Sequence, residues 1–247
     1  IVVDEVTPKA RKSGIDELGL EQLRNVRHII GIASGKGGVG KSTVSALLGE
    51  ALAFAGHPTL LAELDSGLRS LDVALGVTAG VLFDMGDVAR GCAPADAVMQ
   101  CPFCEKLSLI CASASNAAVD EKTISAVINA LGEDYEFILL DCPAGLGETL
   151  SAAARCASCA LVVTTPDPAA VRAAANTGRF LEKEGVHARR LVIERCPSRP
   201  KGLEPLHSLD EVIDGAEMRL IGVVWDDPAV RAAVDFGREL PAESPNK

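Results

Sequence analysis

The run Gly35-Lys36-Gly37-Gly38-Val39-Gly40-Lys41-Ser42 restricts the possible folds of this chain more than any other feature. It fits G-x-x-x-x-G-K-[S/T] and stands between an apolar stretch, His28 to Ala33, and a stretch with helical spacing, Lys41 to Ala55. A strand that feeds a glycine-rich turn and then a helix is the setting in which this motif holds phosphate. Glycines let consecutive backbone N–H groups turn toward one anion, and the helix N-terminus adds partial positive charge. Lys41 is then placed to reach the β and γ phosphates of a nucleotide, and Ser42 to ligate Mg²⁺ through its hydroxyl. Lys36 is a second long cation in a loop that needs only one. It is either a solvated loop residue or a cation that leaves its own subunit to neutralise phosphates bound by a facing one, as an arginine finger does.

Strand-like segments recur at Thr59–Leu64, Leu107–Ala112, Phe137–Asp141, Ala160–Thr165, Leu191–Arg195 and Leu220–Val224, with helical patterns at Glu121–Leu131, Leu146–Ala157 and Pro168–Glu184 between them. This alternation predicts an α/β fold, a mainly parallel twisted sheet flanked by helices on both faces. Residues 28–240 are read as a single domain. Residues 1–27 stand apart as an N-terminal extension, with spacing over Ile15–Val26 that allows one amphipathic helix, and 241–247 form a tail. Pro197 to Pro205, with three prolines and a glycine, reads as a loop.

Two carboxylate-bearing segments complete the phosphate chemistry. Phe137-Ile138-Leu139-Leu140-Asp141 is an apolar strand ending in an acid, the pattern of an aspartate that holds Mg²⁺ through water, followed by the small turn Cys142-Pro143-Ala144-Gly145. Glu63 and Asp65 are two residues apart, so on a continuing strand they would share a face and both could point at the nucleotide cleft at the carboxyl end of the sheet, one of them orienting water or supporting the metal shell; the alternative is solvated strand-end charge.

Composition excludes several functions. With 34 acidic against 24 basic side chains the net charge is -10, which disfavours a broad nucleic-acid surface. Aromatic content is 3%, too low for base-stacking platforms. No apolar run reaches the length of a membrane-spanning helix and the N-terminus lacks a signal-peptide pattern, so a cytoplasmic location is expected. The eight cysteines are scattered through apolar segments, as reduced thiols would be. Two C-x-x-C pairs, Cys101/Cys104 and Cys156/Cys159, offer an alternative reading as zinc or iron–sulfur ligands, against small buried thiols in a core rich in alanine.

The motifs resemble those of the deviant Walker A ATPases of the MinD and ParA type, and most closely the MinD branch. The likeness is carried by Ser34–Thr43 with its signature Lys36, by Leu64–Asp72 (L-D-S-G-L-R-S-L-D), Asp141–Gly145, Val162–Pro166 and Ile221–Val230, and it spans roughly residues 28 to 240. The resemblance implies binding of ATP or ADP with Mg²⁺, a homodimer formed around ATP, slow hydrolysis and recruitment of a regulatory partner. It makes Lys36 the trans-acting lysine, Lys41 the phosphate lysine, Ser42 and Asp141 the metal-side residues, Thr43 an α-phosphate contact and Asp65 the carboxylate that orients water. Gly35, Gly37, Gly38, Val39 and Gly40 supply the loop backbone, and Arg195 stands at the adenine-side strand end.

Four departures accompany the likeness. Glu63 replaces the usual aspartate. Val171-Arg172-Ala173-Ala174-Ala175-Asn176 replaces an acidic partner-binding pattern, which argues against a MinC-like partner. Glu194 stands where Asn or Thr is common; it can accept from the adenine amino group but cannot donate to N7. Arg238–Lys247, with two prolines and two glutamates, cannot be the basic amphipathic helix with which MinD proteins contact membrane, so peripheral membrane binding would need a further C-terminal anchor. The competing functions are an Mrp-like metal or iron–sulfur carrier using Cys101 and Cys104, a ParA-like partitioning ATPase, and a regulatory nucleotide binder that scarcely hydrolyses.

Overall fold

The computed structural model describes residues 28–66, 69–115, 118–197, 208–239 and 244. The amphipathic stretch Ile15–Val26, most of the 197–205 loop and the 241–247 tail except Ser244 lie outside the described residues. Strands β1 (His28–Ser34), β2 (Thr59–Glu63), β3 (Met99–Gln100), β4 (Leu107–Ile110), β5 (Phe137–Ala144), β6 (Cys159–Thr164), β7 (Arg189–Cys196) and β8 (Leu220–Trp225) form one sheet in the order β3-β4-β2-β5-β1-β6-β7-β8. All pairs are parallel except β3 with β4.

The helices are α1 (Lys41–Phe54), α2 (Leu71–Ala74), α3 (Met85–Ala89), α4 (Glu121–Leu131), α5 (Glu148–Cys156), α6 (Pro168–Lys183), α7 (Leu209–Ala216) and α8 (Pro228–Phe236). The alternation of side chains along each strand sorts the core into two layers. Ile138, Leu140 and Cys142 of β5 and Leu60 and Ala62 of β2 face one cluster, which takes in residues of α4, α5, α6 and α7. Leu139, Leu61 and Ile32 face the other, which takes in Val44, Ala46 and Ala53 of α1 and Leu71 and Ala74 of α2. The expected doubly covered parallel sheet is therefore present.

Four helices and one strand go beyond the sequence reading. The two-residue β3 and the four- and five-residue α2 and α3 are too short to set up a periodic signal. For α8 the signal was local: Asp227 caps it by accepting from the Ala229 N–H at 2.9 Å, and Pro228 occupies its first position. Asp167-Pro168 starts α6 in the same way.

Strand β5, at the centre of the sheet, carries Asp141. Its Leu139 is fully buried. Leu139→Ala should cost about 3 kcal/mol of folding stability, read as a lower urea midpoint at unchanged slope.

Candidate nucleotide-binding site

The phosphate loop leaves β1 at Ser34, whose hydroxyl donates to the Lys36 carbonyl at 2.9 Å. Gly35 is required by a close approach: a Cβ there would lie 2.5 Å from the Ala173 carbonyl oxygen and 2.7 Å from Thr177 Oγ1 on α6. Gly40 begins α1 in the left-handed region, at φ 85°, and a Cβ on it would meet the Glu194 carboxylate at 2.5 Å. Val39 sends its side chain into the core and so anchors the loop from below. No side chain caps α1 and its first turn holds no acid, which leaves the N–H groups around Lys41, Ser42 and Thr43 for an anion.

Beneath the loop is a buried hydrogen-bonded cluster. Ser42 donates to Asp141 Oδ2 at 2.7 Å, and Ser45, one turn further along α1, donates to Asp141 Oδ1 at 2.9 Å, its hydroxyl also lying 3.1 Å from the Lys41 carbonyl. Asp141 is fully buried, and burial pushes its carboxyl up to about 6 against the pull of Ser42, Lys41 and Ser45. Lys41 is itself 7% exposed and is the nearby cation for both Asp141 and Asp65. Ser45 was missed in the sequence, although its spacing from Ser42 puts both hydroxyls on one helical face.

Around this centre the other expected residues take different positions. Asp65 follows β2 and is half-buried; burial raises its carboxyl while Lys41 lowers it, with a net shift upward. Glu63 turns back onto its own chain. Its carboxylate is fully buried and accepts hydrogen bonds from backbone N–H groups of its own chain, because β2 ends at Glu63 and the two-residue alternation stops before Asp65. The expectation that both acids point into the cleft is thus corrected for Glu63.

Lys36 is half-exposed and pairs with Asp167 at 3.3 Å; Asp167 also caps α6 through the Ala170 N–H and accepts from Thr165 Oγ1 at 2.6 Å. Asp167 is a partner that no local pattern around Lys36 could have indicated. Arg195 has a left-handed backbone, φ 52°, and its guanidinium donates to the Gly38 carbonyl and to Glu194 Oε2, the latter at 2.6 Å. Glu194 is therefore engaged by Arg195 beside Gly40, with burial raising its carboxyl and Arg195 lowering it.

A family model described as "ParA: NUBPL iron-transfer P-loop NTPase" matches residues 25–246. The chain belongs to the ParA/MinD family of P-loop NTPases. Curated relatives include the septum site-determining protein MinD of Bacillus subtilis (strain 168), 34% identical over 221 residues covering 87% of this chain and 82% of that protein. MinD of Synechocystis is 32% identical over 221 residues, covering 88% and 83%. Among solved structures, the MinC:MinD complex of Aquifex aeolicus superposes with a TM-score of 0.77 at 28% identity, covering 85% of this chain and 86% of that one. MinD of Pyrococcus horikoshii, solved with Mg-ADP, gives 0.72 at 29% identity, covering 86% and 87%. ATP or ADP with Mg²⁺ is the ligand set of ParA/MinD P-loop ATPases. A serine hydroxyl and a carboxylate held 2.7 Å apart are hard oxygen donors suited to that ion.

The cysteine pairs stand apart from this site. Cys101 and Cys104 are 2% and 6% exposed, and burial pushes Cys101 up to about 11 and Cys104 upward. Among the described residues no group of three or more His, Cys, Asp or Glu is arranged to hold a metal ion. No helix among them is long and apolar enough to cross a membrane.

A carboxyl raised in the folded state favours folding most at low pH, and that contribution is lost as pH rises through about 6. Asp141→Asn should therefore raise the melting temperature of the nucleotide-free protein at pH 7.5 by a few degrees. The difference from wild type should narrow at pH 5, and Mg²⁺ should no longer strengthen nucleotide binding in the variant.

Proposed function

We propose that the chain is a MinD-like ATPase that binds ATP with Mg²⁺, dimerises around the nucleotide and hydrolyses it slowly, so that the dimer recruits a partner protein to a cell-division site or a related position. The observation that carries this reading is the Ser42–Asp141 hydrogen bond of 2.7 Å beneath a phosphate loop whose Lys41 is buried beside Asp141 and Asp65.

In this reading the loop N–H groups and Lys41 bind the β and γ phosphates, and Thr43 contacts the α phosphate. Ser42 and Asp141 would hold Mg²⁺, which when bound would neutralise phosphate charge. Asp65 orients a water in line with the γ-phosphorus; the water oxygen bonds to phosphorus as the bond to the β,γ-bridging oxygen breaks, giving ADP and inorganic phosphate that keeps one water proton while the other passes to solvent. Arg195 braces the loop through the Gly38 carbonyl and borders the adenine side.

Lys36 rests on Asp167 within its own chain and is half-exposed, so it can exchange that ion pair for the phosphates of a facing subunit at small cost, since exposed pairs are worth little. On α6 the alanines that replace the acidic pattern include Ala174 and Ala175, both buried, while Arg172 and Asn176 are exposed, so a partner on that helix would meet a less acidic surface.

Phosphate release and size-exclusion chromatography with ATP, ADP and no nucleotide test the reading. Lys41→Ala should lose nucleotide binding. Lys36→Ala should bind ATP but hydrolyse it about 10²–10³-fold more slowly and fail to dimerise. Asp65→Ala should accumulate the ATP dimer without turnover. Normal dimerisation and hydrolysis by Lys36→Ala would overturn the trans-acting role.

A further inference from the structure

We propose that Glu63 is a positioning residue: it staples the segment that carries Asp65 to the edge of the nucleotide site and does not ligate the metal. The proposal rests on the role given above to Asp65.

Glu63 Oε1 accepts from the Ser70 N–H at 2.7 Å, the Leu71 N–H at 3.0 Å and the Ser70 hydroxyl at 3.3 Å, while Oε2 accepts from the Ala112 N–H at 3.2 Å. Ser70 and Leu71 begin α2, and the Ser70 side chain does not cap it, so Glu63 provides the cap from seven residues upstream. Ala112 lies two residues beyond the end of β4, whose Ile110 pairs with Ala62. One carboxylate thus joins the ends of β2 and β4 to the start of α2.

Two consequences follow from the geometry. The segment between these anchors begins at Leu64, itself buried and donating its N–H to the Asp141 carbonyl at 2.9 Å, and continues to Asp65. Leu64, the residue before Asp65, is thus fixed to the strand that bears Asp141, and Glu63 fixes the chain again at Ser70 and Leu71. Three of the four donors converge on Oε1 and the fourth meets Oε2, so both oxygens are turned toward N–H and O–H groups of the chain itself rather than toward a cation. Its length matters too. An aspartate would fall short by about 1.5 Å, one carbon–carbon bond, and bonds now at 3.0 and 3.2 Å would open beyond hydrogen-bonding range.

The test uses Glu63→Gln, which keeps the shape, and Glu63→Asp, which keeps the charge, in the full chain. Three readouts are taken: kcat and KM for MgATP, Mn²⁺ affinity of the ADP complex, and amide hydrogen exchange over residues 64–75 and 110–113 without nucleotide. Both variants should exchange faster in those two segments and lose about tenfold or more in kcat, with KM and Mn²⁺ affinity within about twofold of wild type. Loss of Mn²⁺ affinity with unchanged exchange would make Glu63 a metal ligand and overturn the proposal, as would faster exchange with unchanged kcat. Absence of ATP hydrolysis in the wild type would sink the proposed function alone, and exchange with Mn²⁺ affinity would still decide between staple and ligand.

Discussion

The fully buried Asp141 carboxylate, bonded to Ser42 and Ser45, is the interaction on which the rest of the site depends. It ties the centre of the sheet to the first turn of α1, and so sets the phosphate loop between them. A buried carboxylate is costly, and burial is what pushes this one up to about 6. Two hydroxyl donors and the neighbouring Lys41 offset part of it. The arrangement is suited to receiving a cation, because a divalent ion at the same oxygen would favour the ionised form that burial disfavours.

The backbone around Asp141 is irregular in a way that serves this placement. Register between β1 and β5 shifts between Ile32 and Ser34, opposite Asp141 and Ala144, so β5 carries one extra residue there. Pro143 sits in that interval and has no N–H to give to a ladder. The bulge re-aims the chain beyond Asp141 toward the phosphate loop, and the Gly145 N–H closes onto the Ser34 carbonyl at 2.9 Å. The turn after β5 is thereby joined directly to the start of the glycine-rich loop, a short mechanical link between two loops that in the proposed function would both touch a nucleotide.

Much of this was legible in the sequence because the signals are local. Apolar runs of strand length marked the seven longer strands, and the glycine spacing marked the loop. What could not be read was where side chains go once a strand ends or a partner is distant. The two-residue period assigned Glu63 and Asp65 to one face, but β2 stops at Glu63 and its carboxylate turns back onto α2. Lys36 finds Asp167, 131 residues away, and Arg195 finds the Gly38 carbonyl, 157 residues away. Such pairings arise from the strand order of the sheet, which places β6 and β7 on the same side of β1.

The cysteines are accounted for by the same sheet. A core with few aromatics and strands covered on both faces needs small apolar fillers, and Cys111, Cys142 and Cys196 are each buried within it. Burial pushes Cys111 up to about 12 and drives Cys142 upward as well, with the adjacent Asp141 carboxylate adding to the effect. Thiolate is the form that binds metal or attacks a disulfide, so these environments favour the inert form. Cys101 and Cys104 are buried too: the Cys104 N–H bonds the Cys101 carbonyl at 3.4 Å in a tight turn, and Gln100 donates to the carbonyls of Cys104, Glu105 and Leu107 across the β3–β4 hairpin. The C-x-x-C of Cys101 and Cys104 thus sits in a turn packed against the core, with burial pushing both thiols upward.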